Sequence, residues 1–297
     1  MTYEPNVLRT QTTPLGARYV EGAAATLVGA TQPRLLQREL FENLNMIDPE
    51  FEALADELYT YDDELEQKIP SHVGHQASTL LQFAGQLCYL ALGKKRTPFA
   101  KAGEYLQRIM EQKHGSVLEH ANYTFLFLGV DRAMTHELVR HRAGASYSQV
   151  SQRYTGPDTL RFVMPYEDRK SPRLRNLFVR DIDTNLAQYQ DRIEALSREY
   201  PRLDDEAPTE YRKRIQGSAR SVLGNYVEAP IVVTANARAW RHILTMRCSR
   251  HADVRIREPM MMVLEALKDE IPELFWDFEE TTLPDGSPCA APKFEKP

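Results

Sequence analysis

Cysteine is scarce. The chain holds three, Cys88, Cys248 and Cys289, an odd number set far apart, which excludes a disulfide framework and offers no CxxC pair for a metal. Long apolar runs are missing as well, so no segment is expected to span a bilayer. The opening Met1-Thr2-Tyr3-Glu4-Pro5 has no signal-peptide core, and a cytoplasmic protein is the expectation. There is no basic surplus: 37 Lys and Arg stand against 42 Asp and Glu, a net charge of −5. That balance argues against a general nucleic-acid binder, whose affinity rests on neutralising phosphates. Glycine-rich phosphate motifs are lacking too. The chain has no GxGxxG, no P-loop, no GxSxG elbow and no internal repeat. A bound dinucleotide would need arginines, hydroxyls and helix ends for its phosphates.

What is present reads as one large domain with an extension. Residues 1–70 hold Pro5, Pro14 and Pro33, then an acidic stretch over 35–69 with Asp48-Pro49-Glu50 as a helix start. They read as a helical N-terminal extension, a packing or oligomerisation appendage without chemistry. Apolar periodicity predicts helices over 78–92, 99–113, 131–142, 173–200, 207–223, 237–252 and 254–275, the last broken near Pro272. Two short runs, 123–128 and 230–235, read as strands. Residues 71–284 form the main domain, and 285–297 read as a flexible tail. Helices outnumber strands, so the fold class is α+β: helix-rich with a small central sheet.

The residues that carry chemistry are clustered. Over 140–154 the chain runs Arg-His-Arg-Ala-Gly-Ala-Ser-Tyr-Ser-Gln-Val-Ser-Gln-Arg-Tyr. Three guanidinium groups among hydroxyls and amides suit an acidic small molecule, because arginine binds phosphate through a planar fork. The other reading is a decorated helix end, with cations complementing the macrodipole and Gly144 as C-cap. A second block, His114-Gly115-Ser116-Val117-Leu118-Glu119-His120, is neither HExxH nor HxxEH, so no metal is expected there. In a third, Trp240, Leu244, Arg247 and His251 share one helical stripe, which turns Arg247 and His251 partly inward. A buried guanidinium needs a partner. That partner is either an acid such as Glu119 or Glu137, or an anionic ligand.

Taken together and in order, these blocks resemble the flavin-dependent thymidylate synthases (the ThyX family). The signature Arg-His-Arg, a spacer, Ser and then Arg-Tyr stands here as Arg140-His141-Arg142 followed by Ser151-Gln152-Arg153-Tyr154. Flanking Thr135 to Val139, Arg220 with Leu223, Asn236 to Asp253, and Asp277 to Leu283 are similar too. One departure concerns the spacer, Ala143 to Val150, which has eight residues where the family pattern has seven.

The resemblance implies a homotetramer with FAD as cofactor and NADPH and 5,10-methylenetetrahydrofolate as co-substrates, methylating C5 of dUMP to give dTMP. UMP is the alternative substrate, since a longer loop could admit a 2′-hydroxyl. By the same resemblance His114, Ser116, Glu119, Arg140, His141, Arg142, Ser148, Gln149, Asn236, Arg238, His242 and His251 hold the cofactor. Glu137, Gln149, Ser151, Gln152, Arg153, Arg220 and Arg247 hold the nucleotide, and Arg247 is the catalytic residue. Ser151 binds and does not attack, because no base stands near it in sequence. Two other readings differ in class: a non-catalytic nucleotide- or RNA-binding protein, and a structural oligomer tied by arginine–acid bridges.

Overall fold

Alternation of buried and exposed residues marks a half-buried strand, and the run beginning at Asn122 shows it. Tyr123, Phe125 and Phe127 are fully buried, while Thr124, Leu126 and Leu128 take the other, partly exposed face. The computed structural model describes residues 7–45, 57–62, 67–70, 76–92 and 96–295. In it this run, β6 (Asn122–Leu128), lies inside a four-stranded antiparallel sheet. The order is β3 (Ala24–Ala30), β6, β9 (Ile231–Asn236) and β7 (Ala145–Gln149).

Helices cover the buried face: α2 (Ala77–Leu87), α3 (Ala102–Glu111), α8 (Ala237–Arg247) and α9 (Val254–Glu270), with Leu81, Leu106, Trp240 and Leu264 in one core. Trp240 fixes α8 on the sheet. Its indole N–H donates to the Tyr123 carbonyl at 3.0 Å, and its ring meets Phe125 edge-on at 5.2 Å. A second core forms where α6 (Pro172–Glu199) lays Phe178, Ile182, Leu186 and Tyr189 against Tyr19 and Phe162. Those two residues belong to a small sheet of β1 (Thr10–Thr12), β2 (Arg18–Glu21) and β8 (Phe162–Met164). Helix α7 (Pro208–Ala219) packs beside α6.

Four expectations are corrected. The stretch over 1–70 is not a helical appendage where it is described. It supplies β1, β2 and β3, the last an edge of the central sheet, and then α1 (Arg38–Asn45), β4 (Tyr59–Asp62) and β5 (Gln67–Pro70). Small residues such as Ala24, Ala25 and Gly29 hide a strand from apolar patterning. The helix start at Asp48-Pro49-Glu50 lies outside the described residues. The tail is not free either: β10 (Phe278–Thr282) and β11 (Pro288–Pro292) pair as a hairpin, with Cys289 and Ala290 buried.

The other two corrections shorten helices. Helix α4 (Arg132–Leu138) stops at Leu138, so Gly144 is not its C-cap. Gly144, at φ +69°, is instead the turn residue leading into β7. Helix α8 ends at Arg247, so the stripe through Trp240 and Leu244 does not reach His251, which is exposed.

Candidate active site

Asn236 sits where a strand becomes a helix. It closes β9, and its side-chain oxygen caps α8 by accepting from the Ala239 N–H at 2.8 Å. Its backbone N–H donates to the Gly144 carbonyl at 3.0 Å, which ties the basic loop to the start of α8. The approach is so close that a Cβ on Gly144 would lie 2.5 Å from the Asn236 amide nitrogen. Beside this junction is a cleft of about 470 Å³ lined by Glu119, Ala143, Gly144, Asn236, Arg238, Ala239, His242 and Glu295. Arg238 in the first turn of α8 donates to Glu119 at 2.7 Å, with both side chains half-exposed.

His242, one turn beyond Arg238, carries the surface toward a second group. Its ring meets His141 at 5.7 Å and 70°. The Arg247 Nε–H donates to His141 Nε2 at 2.9 Å, and Nη1 donates to Glu137 Oε2 at 2.7 Å. Burial, and then the neighbouring Arg247, His242 and Arg140, pushes His141 down to about 4, so its imidazole is neutral near pH 7. The strand β7 supports this corner. The Tyr147 hydroxyl donates to the His141 carbonyl, and the Gln149 amide donates to Thr135 Oγ1 at 2.7 Å while accepting from Arg132 at 3.1 Å.

The chemistry on offer is a set of donors, Arg238 and His242 on the exposed side of α8 and Arg247 at its last turn, reached through His141, with a glycine turn beside them. That suits a planar anionic ligand.

A family model described as thymidylate synthase complementing protein matches residues 68–273. A flavin-dependent thymidylate synthase from Corynebacterium efficiens is 42% identical over 217 residues, covering 73% of this chain and 85% of that one. The chain belongs to the flavin-dependent thymidylate synthases. This is a family of methyltransferases that use FAD, with NADPH and methylenetetrahydrofolate as co-substrates. A member from Mycobacterium avium is 40% identical over 211 residues, covering 71% of this chain and 83% of that one. Among solved structures the fold resembles a UMP/dUMP methylase, PolB from Streptomyces cacaoi, bound with 5-Br dUMP. The TM-score is 0.56 at 16% identity, over 86% of this chain and 94% of that one.

Within this family member the expected residues do not all gather at one place. Glu119, Asn236, Arg238 and His242 line the cleft, and Arg140, His141, Glu137 and Arg247 gather at its far corner, with Arg142 exposed on the same loop. Ser148 and Gln149 point to opposite faces of β7, as the period of a strand requires: Gln149 braces α4 and Ser148 is exposed.

The loop after β7 goes elsewhere. Arg153 lies along Gly217 of α7, and Lys213 stands 5.1 Å over the Tyr154 ring. Arg220 follows in the 3-10 turn Arg220–Val222. No hydrogen bond or ion pair among the described residues joins Ser151, Gln152, Arg153 or Arg220 to Arg247. His114 and Ser116 are exposed around the 3-10 turn Gly115–His120 that presents Glu119, and His251 is exposed beyond α8. Sequence reasoning missed Glu295, since nothing local says that the tail folds back to the cleft. It also missed Tyr147, which the period-two spacing of Ala145, Tyr147 and Gln149 could have revealed.

Proposed function

We propose that this chain methylates C5 of dUMP reductively to dTMP, as a homotetramer whose sites combine residues of neighbouring copies. The observation that carries the reading is Arg247, held from two sides beside a donor-lined cleft yet keeping N–H groups to spare. A guanidinium has five N–H donors, and three meet His141 and Glu137. The remaining two have no partner among the described residues and would bind the uracil edge and stabilise negative charge as C5 becomes nucleophilic.

FAD fits the cleft on structural grounds. Arg238, His242 and the Asn236 amide line it, and Gly144 lets the basic loop pass close against Asn236, where a Cβ would collide. These residues would hold it together with Arg140, His141, Arg142, Ser148 and Gln149, and with His114, Ser116, Glu119 and His251 from their exposed positions. When bound it supplies the electron and one-carbon transfer, fed by NADPH and 5,10-methylenetetrahydrofolate. Ser151, Gln152, Arg153 and Arg220 would grip the nucleotide phosphate. Because they stand apart from Arg247 within one chain, a second copy brings the two groups together.

The test is to incubate FAD-loaded protein with methylenetetrahydrofolate, NADPH and either dUMP or UMP, and to assay each nucleotide for a new methyl group. Arg247→Ala should keep the flavin absorbance and lose about 10²–10³-fold in kcat. If neither nucleotide gains a methyl group, the proposal is wrong. UMP is the second reading, favoured by the eight-residue spacer turning on Gly144 and by the nucleotide range of the PolB methylase. Preference for UMP in the same assay would establish it.

A further inference from the structure

An arginine at the end of a helix is a poor aiming device unless its plane is fixed. A carboxylate gripping the terminal nitrogens leaves the guanidinium free to swing with the side-chain torsions. A second bond at Nε removes that freedom, because Nε lies at the pivot. Arg247 has both: Nη1 on Glu137 Oε2 at 2.7 Å and Nε on His141 Nε2 at 2.9 Å. We propose that His141 is a positioning residue for the methyl transfer, its Nε2 lone pair accepting the Arg247 Nε–H and so aiming the free donors of Arg247 at the uridylate. The proposal rests on the function proposed above and adds a role that cofactor contact alone does not describe.

The donor logic fixes the form of the ring. Arginine cannot accept a hydrogen bond, so Nε2 must be unprotonated and the proton sits on Nδ1. The groups facing the ring enforce this. Burial disfavours the charged ring, and the guanidinium groups of Arg247 and Arg140 add to that effect. The backbone is held as well: the His141 N–H donates to the Leu138 carbonyl at 3.1 Å, and the Tyr147 hydroxyl donates to the His141 carbonyl. Both braces come from elements that do not line the cleft, β7 and the end of α4. The ring therefore stays pointed at Arg247, and only Nδ1–H and the ring face are left for a cofactor.

The experiment compares His141→Leu, which removes the acceptor, with His141→Gln, whose amide oxygen can replace it. Both are made in the wild-type and Arg247→Ala backgrounds and assayed at saturating FAD. The dUMP dissociation constant is measured by calorimetry alongside kcat and KM. His141→Leu should weaken dUMP binding and lower kcat/KM by on the order of 10–100-fold with flavin fully bound. His141→Gln should recover most of that, and in the Arg247→Ala background His141→Leu should cost nothing further. Should His141→Leu fail to fold, His141→Gln against His141→Asn gives the same contrast of reach. A deficit that vanishes once FAD saturates, or one of equal size in the Arg247→Ala background, overturns the positioning role. An inert wild-type enzyme would instead sink the proposed function, so the two failures are distinct.

Discussion

Helix α8 carries two arginines six residues apart that live in opposite circumstances. Arg241 is 1% exposed and grips a fully buried Asp277 through a two-pronged fork, Nη1 to Oδ1 at 2.8 Å and Nη2 to Oδ2 at 2.9 Å. It also donates to the carbonyls of Leu274 and Phe294, and only its Nε lacks a partner. Arg247 keeps 18% of its side chain exposed, and its partner Glu137 keeps 35%. Arg241 has spent its donors inside the protein and pins the tail to the helix. Arg247 is restrained but unsaturated, and that surplus is what a ligand can use. Residue type alone does not separate a structural arginine from a functional one; the count of uncommitted donors does.

The sharpest way to break this comparison is to remove the buried arginine. Arg241→Met leaves Asp277 as an uncompensated buried charge, and stability should fall by about 3–5 kcal/mol. Denaturant unfolding measures it, and adding Asp277→Leu should restore most of the loss. Arg247→Ala should cost under about 1 kcal/mol, since its partner stays partly solvated. Equal losses from the two single variants would erase the distinction.

Next in size is Gly144→Ala. The position sits at φ +69°, and the new Cβ would stand 2.5 Å from the Asn236 amide and 3.1 Å from the Ala239 Cβ. Backbone strain and overlap together should cost on the order of 2 kcal/mol, with flavin affinity falling because the cleft floor moves. An unchanged melting temperature would show that the turn is less constrained than its contacts imply.

A third effect is read in pH. His141 titrates at about 4 in the fold against an ordinary 6.5, so the unfolded chain takes up the proton first. The stability this confers is fully present above pH 6.5 and is lost as pH falls toward 4. Carboxylates such as Glu21, whose Arg175 partner holds it below its usual range, lose stability in acid too. The informative quantity is therefore the difference between wild type and His141→Gln. The variant's stability curve should be flatter across that window, and parallel curves would mean that the ring is not held neutral by Arg247 and burial.

Much of this contrast could be read from the chain. The aromatic alternation over 123–128 and the β-branched run before Asn236 announced β6 and β9. The apolar stripe through Trp240 and Leu244 placed Arg247 half inside, with Glu137 among the acids named for it. The strands β3 and β7 stayed hidden because Ala, Gly and Ser give no apolar period, and their pairing is fixed by β6 and β9 instead. His251 was misplaced because a stripe predicts nothing beyond the residue where the helix stops. Glu295 reaches the cleft because Arg241 and Asp277 hold the Phe294 backbone, the Arg241 contact spanning 53 positions that no local pattern encodes.

The smallest expected effect tests the comparison from the cleft side. Arg238 and Glu119 meet at 2.7 Å, but their side chains are 49% and 48% exposed, so water screens the pair and ordering two flexible side chains offsets the attraction. Such pairs contribute about 0–1 kcal/mol, and Glu119→Gln should shift unfolding by no more than about 0.5 kcal/mol. A loss near that of Arg241→Met would mean that the Arg238–Glu119 contact is structural cement. Arg238 would then not be free to turn toward a ligand, and the separation of saturated from available arginines along α8 would fail at its exposed end.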